Sequence, residues 1–532
     1  MDLPSEQIPL IETFRYHIES HKKIFLTALT AFILVLPVCL SAQDGNGSNS
    51  RLDRLRGGNL GMKIQWSGES FSGLGSRADA MGGSIGTLYP GPDAISFNPA
   101  GLGFARGFQV TLDWAPPLTL NPAGIFGIEN RINESLIIVS ENNNPPRDPN
   151  TGELRPDQVV KDADVTSELD MRGGLKGGAI MYGTPYFTIA GSFHQPLRFE
   201  TQINISGAEF LAAALDDDGK ETNLIFATVN GNFNLNLNIE TSSIAIATER
   251  LLPNLSLGMV YDNFNAEMNF ASTFLPEGII SSTGGDTRFF NDPAKIQYDS
   301  LFAEIKGDWE GNGIRLRWGL GYHPIPNISV DAVVALPAKI DLRGPFSMVH
   351  NEIRALDLRA GENEEVFDID ILVEDNLTKT KKINTRIPGI DIEMPGSATF
   401  GLSARWDKNY VASLVYAKYF DHLAYRMQYS QFDSLNNPEE FGEIHQGIEL
   451  GSSYRIGIGV EPLIIGLGLV LGDTFSETTT NGDAPKISRN RIFVPVFSLG
   501  GGVKIGPRFR LDYVLSLLNS SFLRFSTSYA FN

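Results

Sequence analysis

From Phe108 to its last residues, the chain is built of short runs that alternate apolar and polar side chains at every second position. Period two puts one set of side chains on each face of a strand. In Asn232 to Thr241, Phe233, Leu235, Leu237 and Ile239 alternate with Asn234, Asn236, Asn238 and Glu240. In Asn263 to Phe270, Phe264, Ala266, Met268 and Phe270 alternate with Asn263, Asn265, Glu267 and Asn269. Each run has one oily face and one wet face. Further runs lie at 108–114, 186–193, 255–261, 314–322, 398–406, 410–418, 447–458 and 509–517. Many approach the ~9–11 residues of a membrane-crossing strand. A soluble sandwich also alternates, but the number and length of the runs favour an all-β transmembrane barrel.

The chain's end strengthens this reading. Leu523, Phe525, Thr527, Tyr529 and Phe531 alternate with Arg524, Ser526, Ser528, Ala530 and Asn532 up to the last residue. An open edge there would invite aggregation, and closure against the first strand removes it. Tyr261, Trp318, Tyr322, Trp406, Tyr410 and Tyr419 stand near strand ends, where a barrel places its interfacial girdles. Connections range from the short turn Pro324-Ile325-Pro326-Asn327 to polar excursions at about 141–171, 275–310 and 345–390. Short turns on one side and long loops on the other suit a barrel.

Composition permits this fold. Hydrophobic residues make up 42 % of the chain and the mean hydropathy is −0.08, values a barrel reaches because only alternate residues face lipid. The net charge, 43 − 62 = −19, argues against nucleic acid as a partner, since phosphates are met by basic patches. Residues 24–40 form an apolar run after His21, Lys22 and Lys23 and before Ser41 and Ala42. Those are the parts of a secretory signal peptide, assigned to residues 1–42. Pro37 and the marginal length weaken the alternative of a membrane anchor. The one cysteine, Cys39, falls in this segment, so disulfide, zinc-thiolate and catalytic-cysteine readings fall away. Its acylation as a lipoprotein anchor is the lesser alternative, because Val38 precedes it.

Residues 43–56 are polar and rich in Gly, Ser and Asn, and read as a flexible lead-in. The next stretch breaks the alternation. From Gly75 to Leu102 the chain reads GSRADAMGGSIGTLYPGPDAISFNPAGL, crowded with residues that favour turns. It reads as a plug within residues 57–107, with the barrel spanning 108–532. Arg77, Asp79 and Asp93 lie in it, either ion-paired to the barrel lining or in water at its mouth.

Catalytic and metal motifs are weak. Gly82-Gly83-Ser84-Ile85-Gly86 matches G-x-S-x-G without the strand–turn–helix context that a nucleophile elbow needs. Asp216-Asp217-Asp218-Gly219 and the stretch 362–375 read as solvated acidic loops, with calcium recruitment the second reading. Histidines 17, 21, 194, 323, 350, 422 and 445 are scattered, and the single i,i+4 pair lies in the presumed signal. Gly101-Leu102-Gly103 and the glycines of 466–472 do not match a dinucleotide loop and read as places where the wall bends or is approached. No enzyme activity, cofactor or metal is expected.

Arg77-x-x-Ala80-Met81-Gly82-Gly83, Asp93-Ala94 and Asn98-Pro99-Ala100-Gly101-Leu102 resemble the N-terminal signature of the FadL-like outer-membrane proteins, the fatty-acid and aromatic-hydrocarbon transporters. Trp318 to Pro324, running on to Leu342-Arg343-Gly344, and Met394 to Leu402, running on to Tyr419, are similar to that family's hairpins. The resemblance implies a barrel of about fourteen strands closed by an N-terminal hatch, in the outer membrane, taking up fatty acids or hydrocarbons passively. It gives Gly75, Arg77, Ala80, Met81, Gly82, Gly83, Asp93, Asn98, Pro99, Ala100, Gly101 and Leu102 a hatch or gating role. PorV-like relatives, which share the signature and bind secreted protein cargo, give the runner-up. A general porin with a polar lumen is the third reading.

Overall fold

The computed structural model describes residues 73–120, 164–171, 173–215, 221–282, 287–290, 298–299, 303–353, 356–360, 367–371, 380–406, 410–432, 435–482, 484–517 and 523–531. The presumed signal and lead-in, residues 57–72 of the plug and Asp216 to Gly219 lie outside them, as does all of 121–163.

The wall is a closed antiparallel barrel of 14 strands. In chain order they are β1 (Gly107–Ala115, continued by Leu118–Leu120), β2 (Asp164–Met171 and Gly174–Gly183), β3 (Thr188–Leu215), β4 (Glu221–Leu252) and β5 (Leu255–Ser282). Next come β6 (Ala303–Ile325), β7 (Ile328–Ala335, Ala338–Arg343, Phe346–Ile353), β8 (Thr380–Arg386, Gly389–Met394, Gly396–Trp406) and β9 (Tyr410–Phe420, Leu423–Phe432). The last are β10 (Pro438–Val460), β11 (Leu463–Thr480), β12 (Lys486–Ile505), β13 (Phe509–Leu517) and β14 (Leu523–Ala530). Each strand pairs with its neighbours in sequence, and β14 closes on β1 in the register Gln109↔Ala530 to Trp114↔Phe525. Closure satisfies both edges, as lipid requires.

The connections β2–β3, β4–β5, β6–β7, β8–β9, β10–β11 and β12–β13 are tight and gather at one end. At the other end the strands run far beyond a membrane. The 32 residues of β4 extend roughly 105 Å at ~3.3 Å per residue, against a hydrocarbon core of ~30 Å. Much of what the sequence suggests as loop is wall: β5 extends to Ser282, β6 begins at Ala303, and β7 and β8 enclose parts of 345–390.

The polarity of the two faces reverses along these long strands. Near the tight turns the outside is apolar, with Ile244, Ile246, Leu257, Met259, Tyr261, Ile314, Trp318, Leu320, Phe400 and Leu402 exposed. Their inward neighbours are small or polar, such as Thr241, Ser243, Ser256 and Asp262. Beyond Tyr261 on β5 and Ile244 on β4 the pattern inverts. Leu237, Ile239, Phe264 and Ala266 are buried inside the lumen, while Asn265, Glu267 and Asn269 are exposed outside. The oily faces of 232–241 and 263–270 therefore look inward, because those segments lie past the lipid and their outer surface meets water. Tyr261, Trp318, Tyr322, Trp406 and Tyr410 are on the outer surface, but Tyr419 is 5 % exposed and points into the lumen. Outward positions on β9 are even-numbered, so Tyr416 and Phe420 take that surface instead.

Candidate functional site: the hatch and the lumen above it

Residues 73–106 lie inside the tight-turn end of the barrel, where they contact the wall on β1, β5–β7, β9–β12 and β14. Three one-turn helices carry the segment: α1 (Ser76–Ala80), α2 (Ala94–Phe97) and α3 (Ala100–Gly103). The Gly82-Gly83 pair stops α1. Gly82 N–H donates to Asp79 O and Gly83 N–H to Ala78 O, with φ of +73° and +78°. Two successive left-handed residues are cheap only for glycine.

Asn98-Pro99 starts α3. Asn98 Oδ1 accepts from Ala100 N–H at 3.1 Å, while its Nδ2 donates to Ile85 O at 3.1 Å and to Leu320 O on β6 at 3.3 Å. One side chain thus ties α3, the loop after α1 and the wall together. Pro99 brings a fixed φ to the helix start and needs no partner for a backbone N–H there. Ala100 and Leu102 are fully buried, and Leu102 packs with Leu74 and Ile95 against Ala179, Met181, Ala245 and Val260 of the wall. Ala80 and Met81 pack against Val411, Ile464 and Val514.

The wall is shaped to receive this segment. A Cβ on Gly457 would stand 2.5 Å from Met81 O, and one on Gly466 would stand 2.4 Å from Gly82 N. Gly466 is thus a place of backbone approach, as its strand context suggests.

Two of the three charged hatch residues, Arg77 and Asp79, are ion-paired rather than bathed at the mouth. Arg77, 7 % exposed, pairs with Glu461 and lies 3.6 Å over the Tyr89 ring. Asp79 pairs with Arg524 of β14, whose Nε lies 3.8 Å from Asp113 of β1. Asp113 Oδ2 accepts the Gly75 N–H at 2.9 Å, and Ser526 Oγ accepts the Ser76 N–H at 2.7 Å. Arg317 on β6 donates to Ser96 O at 2.6 Å and Ile95 O at 2.9 Å, and is held by Asp262 at 2.7 Å. Thr87 Oγ1 donates to Asp331 Oδ1 at 2.7 Å. Ser84, the centre of the G-x-S-x-G match, lies in the turn after α1, 3.4 Å from Ser403 Oγ and 3.2 Å from Gly86 N.

Between the hatch arms and β8 is a cavity of about 40 Å³ bordered by Arg77, Tyr89, Asp93 and Asn98. That is room for a few waters at most. It is too small to hold a long-chain solute. Asp93 belongs to the hatch and to no spanning strand. Burial, then the Asp512 carboxylate, pushes it up to about 7 against the pull of Arg77, with Asp113 adding to the rise. A carboxyl raised by seating favours the seated state fully below its free value of about 3.9. That contribution is lost as pH rises through about 7. A nitroxide at position 90 is therefore expected to report a more mobile hatch at pH 8 than at pH 5, with the difference reduced in Asp93→Asn. Equal mobility at both pH values would refute it.

Past the hatch the lumen is apolar. Leu237, Ile239, Phe264, Trp309, Ile340, Leu342, Ile390, Ile392, Met394 and Leu423 form one buried cluster across β4 to β9. A second, of Ala417, Tyr419, Ile448, Leu450 and Val470, continues it from β9 to β11. Within the first cluster, Trp309 Nε1 meets no acceptor among the described residues.

Sequence reasoning singled out residues of 75–102 but not the wall residues they touch. Arg524 and Asp113 carried a readable signal, being charges at inward positions of strands whose outward residues, such as Phe525 and Trp114, are apolar. Arg317, inward between Leu316 and Trp318, carried the same signal, and Glu461, in the turn between β10 and β11, carried none.

No family model and no curated protein matches the chain. Among solved structures it is similar to the CymD monoaromatic hydrocarbon channel, at 12 % identity over 87 % of this chain and 99 % of that one, TM-score 0.42. It is similar to the Ralstonia pickettii toluene transporter TbuX, at 14 % identity over 87 % and 100 %, TM-score 0.44. A Pseudomonas aeruginosa FadL homologue follows the same pattern, at 10 % identity over 87 % and 99 %, TM-score 0.42. Likeness at this level carries no argument about function, which rests on the geometry.

Proposed function

We propose that this chain is an outer-membrane channel of the FadL-like kind, exported by its N-terminal signal, that takes up hydrophobic compounds passively. Long-chain fatty acids and hydrocarbons are the substrate class. The observation that carries the reading is the inverted lumen: beyond the lipid, the inside of the barrel is apolar and the outside polar. A pore for hydrophilic solutes gains nothing from such a lining, whereas an oily solute leaves water favourably there. The solute enters at the far end, rests among Phe264, Ile340 and Ile392, and passes on when the hatch shifts.

The test locks the hatch. Ser76 Oγ and Ser526 Oγ are 2.6 Å apart, so Ser76→Cys with Ser526→Cys makes a reducible bridge from hatch to wall. Proteoliposomes holding the reduced protein are expected to take up a fluorescent long-chain fatty acid and exclude a sugar of similar size. Oxidation is expected to stop uptake and reductant to restore it. Equal passage of the sugar would favour a general porin. Absence of uptake together with copurification of a secreted protein would favour the PorV-like role.

A further inference from the structure

On the outer surface of the wall, one strand position beyond Phe420, three side chains from three adjacent strands converge. Glu393 of β8 extends Oε2 to 2.7 Å from His422 Nε2, at the start of the second segment of β9, and to 3.1 Å from His445 Nε2 on β10. These ligand atoms all lie within 4.8 Å of one another. We propose that they form a binding site for a divalent first-row transition ion, with Zn²⁺ as the probe.

The register builds the site. Glu393 is paired with Ala424, Ala424 with Gly447, and Gly447 with Phe475. All four face outward, and the two small residues in the middle leave a hollow between the carboxylate and the Phe475 ring. His422 and His445 enter it from either side, each edge-on to Phe475, with ring centroids 5.3 and 4.9 Å away. His445 is 6 % exposed although it lies on the outer surface.

The second atoms of both rings make the argument sharper. His422 Nδ1 lies 2.9 Å from Asp421 Oδ1, and His445 Nδ1 lies 3.7 Å from Glu477 Oε2. A metal-bound imidazole typically turns one nitrogen to the ion and gives its other N–H to a carboxylate. Here both rings turn Nε2 to the shared point and Nδ1 to an acid. The two rings stand 4.9 Å apart, so one ion beside Glu393 can meet both Nε2 atoms.

Charge agrees with this assignment. Arg426 holds the other oxygen of Glu393 at 3.3 Å and Glu443 at 3.1 Å. Around the shared point, the carboxylates of Glu393, Asp421, Glu443 and Glu477 outnumber this one guanidinium. Two imidazoles and one carboxylate suit zinc, iron or nickel better than calcium or magnesium, which prefer oxygen alone. Bound there, the ion ties β8, β9 and β10 together at the rim of the lipid-facing band, where β9 bends through Asp421 at φ +72°.

The experiment uses tag-free full-length protein in detergent, stripped with a chelator, loaded with Zn²⁺ and desalted before metal analysis. About one equivalent is expected in the parent. His422→Gln with His445→Gln should retain less than a tenth of that, and Glu393→Gln should lose affinity at least tenfold. Asp421→Asn, which only orients a ligand, is expected to weaken binding about 10- to 100-fold. Heat-modifiable migration of each variant reports an intact barrel, and Co²⁺ absorption in the parent reports nitrogen ligation. No stoichiometric uptake by the parent, or equal uptake by a folded double variant, overturns the site.

Discussion

Arg524→Met is expected to release the hatch. Arg524 is 2 % exposed and is the cation beside both Asp79 on the hatch and Asp113 on β1. Its removal takes the cation from beside two buried carboxylates, and breaking a buried pair in this way typically costs ~3–5 kcal/mol. Against a seating equilibrium this is a shift of roughly 10²- to 10³-fold, at ~1.4 kcal/mol per decade. The expected readout is a large rise in single-channel conductance in planar bilayers, with faster proteolysis in 73–106. Asp79→Asn added to Arg524→Met should recover part of the loss, because one of those charges is then gone. If Arg524→Met leaves conductance and proteolysis unchanged in a heat-modifiable barrel, the ion pair does not hold the hatch.

The second large effect concerns the lumen. Ile392 and Ile340 are paired across β7 and β8, at 3 % and 0 % exposure. Ile392→Asp places a carboxylate in the apolar cluster, where an unpaired charge is strongly disfavoured and draws water in. Fatty-acid uptake into proteoliposomes is expected to fall at least tenfold, with the hatch contacts untouched. Phe264→Ala, which only empties space, is expected to weaken uptake a few-fold and guards against a folding defect in the first variant. Unchanged uptake in both would place the solute's route elsewhere.

The barrel was legible because strand parity is a local property. Leu523 to Phe531 reads as a lipid-facing closing strand and pairs with β1 as such. Parity says which residues share a face but not which way that face points. For Leu235, Leu237 and Ile239 the answer depends on where the strand leaves the membrane, set by β4's length and not by its pattern. Tyr419 went astray for a related reason, since an aromatic near a strand end counts toward the girdle only at an outward position. The turn residues of 75–102 set that segment apart from the strands, but its partners on the wall were not legible: Ser76 and Ser526 stand 450 positions apart. The same distance problem hid His422 and His445, which look scattered in the chain and meet only because β9 and β10 are neighbours.

Two of the hatch's anchors lie on β14, at Arg524 and Ser526, and a third on β1, at Asp113. These are the strands whose pairing closes the wall. The stretch made early in synthesis can therefore find its full seat only after the last stretch has been made and paired. The contacts of Asp79 with Arg524 and of Gly75 with Asp113 thus depend on the same two strands that close the wall.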